Sequence, residues 1–178
     1  MGIVATNQAR KDWALGIETV AILAKSHKVR LWIKTDVLER HWSIPALLVD
    51  YGIVDKTMIT LGDLTDDEMA QAYSACDICL GIAPEGFGYV HVESQACGTP
   101  IIVGSHAGGA ENTYSSMQVD PIAFRYEGVY ACKRPVYRAE DWAKMAEAWS
   151  SAEGFMNKRF AWDNLWEHWE KWFREGVK

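Results

Sequence analysis

The sequence predicts an α/β protein built on one doubly wound parallel sheet, and three observations carry that expectation. Short aliphatic runs at residues 3–6, 29–33, 57–61, 78–82 and 100–103 alternate with segments of helical periodicity. The runs are nearly continuous in Val, Ile and Leu, the pattern of strands buried on both faces. Helix-capping and turn residues separate the two kinds of segment, as alternating strands and helices around one sheet require.

Residues 3–6 read as the first strand, followed by a polar loop with Arg10 and Lys11 and then a helix over about 13–26. In that helix Leu15, Thr19, Ile22 and Leu23 share a face. After the strand at 29–33, Thr35-Asp36 predicts the cap of a helix containing Leu38, with Trp42 and Ile44 beyond it. Pro45 reads as an interruption, and a further helix over 46–51 ends at Gly52. The strand at 57–61 precedes a capping box, Thr65-x-x-Glu68, that opens a helix to about Ala75. A strand at 78–82, a helix at 89–97, a strand at 100–103 and a sixth strand at 122–126 follow. Two terminal helices, 139–149 and 161–174, join near Gly154.

A chain of 178 residues, 49% hydrophobic and with only five prolines, suits one domain spanning 1–178 with a substantial core. Its net charge of −6 disfavours nucleic-acid binding, which needs clustered Lys and Arg. The sequence holds no apolar run of the roughly 18 residues that span a bilayer and no signal-peptide pattern, so a cytoplasmic location is expected. The pair Cys76-x-x-Cys79 invites a zinc or redox reading, but no second pair stands at ligand spacing. The four cysteines, 76, 79, 97 and 132, are read as reduced, structural thiols. The five histidines show no metal-ligand spacing, and His91 and His106 read as structural.

The chemistry concentrates in residues 85–111, EGFGYVHVESQACGTPIIVGSHAGGAE. A helix that begins behind Gly86-Phe87-Gly88 offers unpaired N–H groups and the positive end of its dipole, a site for phosphate. Glu85 stands at the mouth of that helix and Glu93 two turns into it. Carboxylates among anion-binding amides point to ligands rich in both hydroxyls and phosphates. Because ligands bind beyond the carboxyl ends of such strands, Arg10, Glu85 and Gly108 are expected in one crevice.

This segment resembles the donor-binding motif of retaining glycosyltransferases of the GT-B fold, the large family of glycogen synthases, sucrose synthases and many mannosyltransferases. Glu85-Gly86-Phe87-Gly88, Glu93, Ala96, Gly98, Pro100, Ile101, Ile102 and Gly108-Gly109 fall in the family's order. Ser94 stands where Ala is usual, and Glu111 follows the glycines one residue early. The resemblance implies the C-terminal, Rossmann-like half of a GT-B enzyme, binding a nucleotide-diphosphate sugar for glycosyl transfer without a bound metal or other cofactor. It gives Glu85 the hydroxyls of the donor sugar, Glu93 the ribose diol, and Arg10 and Lys11 the diphosphate. The amides of Phe87, Gly88, Tyr89 and Val90 cradle sugar and phosphate oxygens. Many relatives carry a further arginine at the end of the first strand, where Ala5 and Thr6 stand here.

No acceptor domain lies within these 178 residues. An acceptor-domain partner, or a homo-oligomer formed through the closing helix, is therefore expected. Trp162, Leu165, Trp166, Trp169 and Phe173 form an apolar stripe at helical spacing that suits either core packing or such an interface. The competing functional reading is a non-catalytic assembly module that keeps the fold.

Overall fold

The structure, a computed structural model, describes residues 1–113, 117–127 and 132–150. The expected closing helix and its tryptophan stripe lie outside the described residues.

Six strands form one sheet in the order β3-β2-β1-β4-β5-β6, every neighbouring pair parallel. They are β1 (Gly2–Val4), β2 (Leu31–Thr35), β3 (Thr57–Leu61), β4 (Cys79–Gly81), β5 (Ile101–Gly104) and β6 (Gln118–Val119). The order runs outward in both directions from the β1–β4 pair, which makes that pair the topological switch point. Both faces are covered over the inner strands, whereas the run at 57–61, expected to be buried on both faces, is the edge strand β3 and exposes Met58, Ile59 and Leu61. Helices α1 (Trp13–Leu23), α2 (Ile44–Asp50) and α6 (Ala139–Ser150) pack on one side, against Ile3, Ile33 and Ile102. Helices α3 (Asp66–Ser74) and α4 (Tyr89–Ala96) contribute Tyr73, Met69 and Val90 to a smaller core on the other, around Ile101 and Val103. Successive β5 residues thus enter opposite cores, which is why the strand is apolar throughout.

Several elements form for the reasons the sequence suggests. Asp12 caps α1 by accepting from the Leu15 amide at 3.1 Å, and the Thr65–Glu68 capping box closes in both directions at the start of α3. Pro45, read as an interruption, instead sits in the first turn of α2, where its missing N–H has no helical partner to lose.

Two expected elements are different. The expected sixth strand at 122–126 is not in the parallel sheet. Its residues lie in β7 (Ala123–Glu127), which pairs antiparallel with β8 (Cys132–Val136), and the place beside β5 is taken by β6. Pro121 separates β6 from β7, and Ala-Phe-Arg-Tyr-Glu alternates apolar with charged residues, the pattern of a half-exposed strand rather than a covered one. No helix forms around Leu38 either. The Asp36 carboxylate caps the amide of Asn7, at 2.7 Å, instead of a helix start. The buried Asn7 side chain then donates to the carbonyls of Val37, Leu38 and Trp42 and accepts from the Trp42 amide at 3.0 Å. Four side-chain bonds from one buried amide hold residues 37–42 as a loop.

Candidate functional site

A cleft of about 790 Å³ opens beyond the carboxyl ends of β1, β2, β3 and β4, over the switch point. The loop after β1 supplies Arg10 and Lys11, and the turn after β4 supplies Glu85. These residues, 74 and 75 positions apart, meet: Arg10 Nη1 lies 2.7 Å from Glu85 Oε2, and Lys11 Nζ pairs with Glu85 Oε1. One carboxylate therefore bridges two cations. The Lys11 side chain is buried, and burial together with the neighbouring Arg10 guanidinium lowers its ammonium pKa to about 8.

The basic loop is held from both sides by backbone. The Asp12 amide donates to the Ile82 carbonyl at 2.8 Å, tying the loop to the end of β4. From the hairpin, Arg134 donates to the carbonyls of Ala9 and Arg10 at 3.2 and 3.1 Å.

Phe87, Gly88, Tyr89 and Val90 line the same cleft. Gly88 is the N-cap of α4 with φ +83, and the amides of Gly88, Tyr89 and Val90 have no acceptor among the described residues. A left-handed cap without a side chain leaves those N–H groups turned outward. Beneath them His91 is buried against Gly88. Burial and the Lys11 charge lower its pKa to about 4, so the imidazole is neutral at physiological pH. The rings of Phe87 and Tyr89, both well exposed, stand 5.2 Å apart at the rim.

The remaining expected residues are placed differently. Glu93 lies one turn beyond Val90, exposed and outside the cleft lining, with its Oε2 accepting the hydroxyl of buried Tyr73 at 2.9 Å. Gly108, also outside the lining, supports the motif turn from behind. Its amide donates to the Glu85 carbonyl at 2.7 Å, and Asn112 of the short helix α5 (Gly108–Asn112) donates to the Phe87 carbonyl. The Gly-Gly pair opens that helix rather than a simple turn.

Sequence reasoning missed Lys34, Asp36 and Asp63, which line the far end of the cleft. Their signal was available, since each stands at or just past the carboxyl end of β2 or β3. It also missed Arg134, whose grip on the basic loop spans more than a hundred residues and leaves no local pattern. Among the described residues no group of three His, Cys, Asp or Glu side chains is placed to hold a metal ion, and no helix is long and apolar enough to cross a membrane.

Comparison with known proteins shows the family and the fold. Residues 2–124 match the family described as glycosyl transferases group 1. The D-inositol 3-phosphate glycosyltransferase of Mycobacteroides abscessus is 32% identical over 107 residues, 60% of this chain and 21% of that protein. Among solved structures, a glycosyltransferase from Rickettsia africae superposes with a TM-score of 0.65 at 18% identity, over 84% of this chain and 37% of its own. The C-terminal domain of a glycosyl transferase group 1 family protein from Francisella tularensis gives 0.64 at 15% identity, over 85% of this chain and 75% of that one. The chain thus spans about a fifth of the curated relative, and its fold is that of a Rossmann-like half of the GT-B architecture.

Proposed function

The chain belongs to the glycosyl transferases group 1 family, and on that premise we propose that it binds the nucleotide-diphosphate sugar for a retaining glycosyl transfer. The observation that carries this reading is the meeting of Arg10 and Lys11 with Glu85 at the switch point, beside the outward amides of Gly88, Tyr89 and Val90. Two cations and a row of N–H donors suit a diphosphate. They stabilise the negative charge that grows on the leaving nucleoside diphosphate as its bond to the anomeric carbon breaks. The acceptor hydroxyl adds to the same face, and the surface that presents it comes from outside these 178 residues. The chain's own groups supply this charge stabilisation, so the reading includes no metal or other cofactor.

In the free protein Glu85 occupies both cations. A diphosphate seated there competes with Glu85 for Arg10 and Lys11, and the released carboxylate can then accept hydroxyls of the donor sugar. Glu93 stands outside the cleft lining with one oxygen held by Tyr73, so this reading has the ribose extend past Val90 to meet its carboxylate. The two carboxylates therefore give separable results in calorimetry with UDP, GDP, ADP and their sugars. Glu93→Ala weakens every nucleoside diphosphate that binds, by about ten- to a hundredfold for a lost charged hydrogen bond. Glu85→Ala weakens only the sugar-linked forms, because its removal also removes a competitor for the cations. Equal affinities for wild type and Glu93→Ala would refute the ribose assignment. If none of these compounds binds wild type, the assembly-module reading replaces this one.

Lys11 also predicts a pH dependence. Its free-state pKa of about 8 means that the ammonium is lost as pH rises through 8, whereas a bound diphosphate favours the charged form and raises that pKa. Affinity is therefore greatest below pH 8 and falls above it, approaching about tenfold per pH unit. Lys11→Arg keeps its charge over this range and flattens the profile. A wild-type affinity unchanged between about pH 7 and about pH 9 would remove Lys11 from the diphosphate site.

A further inference from the structure

At the other end of the strands the structure separates two thiols that sequence reading treats alike. Cys76 follows α3, is half-buried, and lines a second cleft, of about 480 Å³, together with Arg30, Trp32, Lys56 and Met58. Cys79, the first residue of β4, is buried. Both sulfurs crowd the bare backbone of Gly2, where an added Cβ would stand 2.9 Å from Cys76 Sγ and 3.0 Å from Cys79 Sγ.

We propose that Cys76 and Cys79 form a redox-active dithiol that closes reversibly to a disulfide when a hydroperoxide reaches this cleft. The three-residue offset across the turn from α3 to β4 brings both sulfurs against one point above the Gly2 backbone, 2.9 and 3.0 Å from it, so the two thiols face the same small space. The roles divide by exposure. Cys76, half-buried and open to the cleft, with the N-terminal ammonium favouring its thiolate and Asp77 opposing it, is the attacking thiol. Cys79, buried behind it, is the resolving one. The neighbouring Cys79 thiol lowers Cys76 to about 7, and Cys76 together with burial raises Cys79 well above the ordinary thiol range, which supports that division. Cys97 is raised by burial and by Glu93, and among the described residues no second thiol is paired with it in the same way.

The chemistry balances. The Cys76 thiolate attacks one peroxide oxygen, the O–O bond breaks, the departing hydroxide takes up a proton, and Cys76 becomes a sulfenic acid. Cys79 Sγ then attacks that sulfur. The S–S bond forms, the S–O bond breaks, and the oxygen leaves as water with the Cys79 proton. Two thiols lose two electrons in all, and hydrogen peroxide becomes two waters, or an organic hydroperoxide an alcohol and one water. Because this cleft lies opposite the donor cleft, the inference is independent of the proposed function.

The test uses the full chain carrying Cys97→Ser and Cys132→Ser, treated with one equivalent of hydrogen peroxide. Its intact mass should fall by two hydrogens and recover with a thiol reductant. Adding Cys79→Ser should halt the reaction at a sulfenic acid captured by a 1,3-dione, and adding Cys76→Ser should leave the protein unreacted at that dose. In the wild-type chain, iodoacetamide labelling of Cys76 should reach half its maximal rate near pH 7 rather than near the usual 8.5. The proposal is overturned by an unchanged mass, by equal oxidation of the Cys76→Ser protein, or by an ordinary alkylation profile for Cys76. If the background substitutions unfold the chain, peptide mapping of oxidised wild type decides. A bond between positions 76 and 79 supports the proposal, and prior oxidation of Cys97 overturns it.

Discussion

Replacing Arg10 and Lys11 together with alanine is expected to weaken nucleoside-diphosphate binding by about a hundred- to ten-thousandfold, from two charge-assisted contacts of about 1.5–3 kcal/mol each. The variant also leaves Glu85 without either of its partners, so a carboxylate now faces the incoming diphosphate and adds repulsion to the loss of attraction. The fold should survive, because backbone bonds hold the loop. The Lys11 amide donates to the Gln8 carbonyl, the Asp12 amide to Ile82, and Arg134 to the carbonyls of residues 9 and 10, none of which needs the two deleted side chains. Calorimetry reads the affinity, and a thermal melt followed by circular dichroism reads the fold. Adding Glu85→Gln should recover the repulsive part of the loss but not the remainder. Wild-type affinity in a folded double variant would mean that another cation of the cleft, such as Lys34, holds the phosphates.

The fold was legible because a sheet covered on both faces writes itself into sequence as apolar runs between capped helices. β3 was read with its observed ends, the helices starting at Trp13 and Tyr89 begin at the residues expected, and the helix after Thr65 begins where its capping box indicates. Failures came where a long-range contact overrode a local signal. Thr35-Asp36 is a sound cap in isolation, yet the Asp36 carboxylate is claimed by Asn7 from another loop. The aliphatic start of residues 122–126 resembles a sheet strand, but its exposed Phe124 and Tyr126 suit a hairpin standing off the sheet. At the site, the motif made the turn after β4 readable, the rule that ligands gather beyond strand ends brought in Arg10, and the family resemblance brought in Lys11 beside it. What it could not foresee was charge pairing. Nothing local says that Glu85 bridges both cations, or that Glu93 is held by a tyrosine twenty residues earlier.

Gly108→Ala should have the other large effect, on stability and binding at once. A Cβ at this position would stand 2.5 Å from the Phe87 carbonyl oxygen and 2.7 Å from that of Gly86, both backbone atoms that cannot rotate aside. The start of α5 must therefore retreat from the motif turn, stretching the Gly108 amide bond to Glu85 and the Asn112 bond to Phe87. Forced overpacking of this kind costs about 1–3 kcal/mol, and the two weakened hydrogen bonds add to it. Displacing the turn also moves the Gly88, Tyr89 and Val90 amides, and a shift of about 1 Å at such positions can cost about a hundredfold in function. Gly86→Ala supplies the contrast. An added Cβ there meets nothing within 4 Å, so the melting temperature should hold even though this glycine heads the motif. If Gly86→Ala nonetheless loses donor affinity, its missing side chain makes room for the ligand rather than for the protein. A Gly108→Ala protein that melts and binds as wild type would show that the turn is not held by the contact behind it.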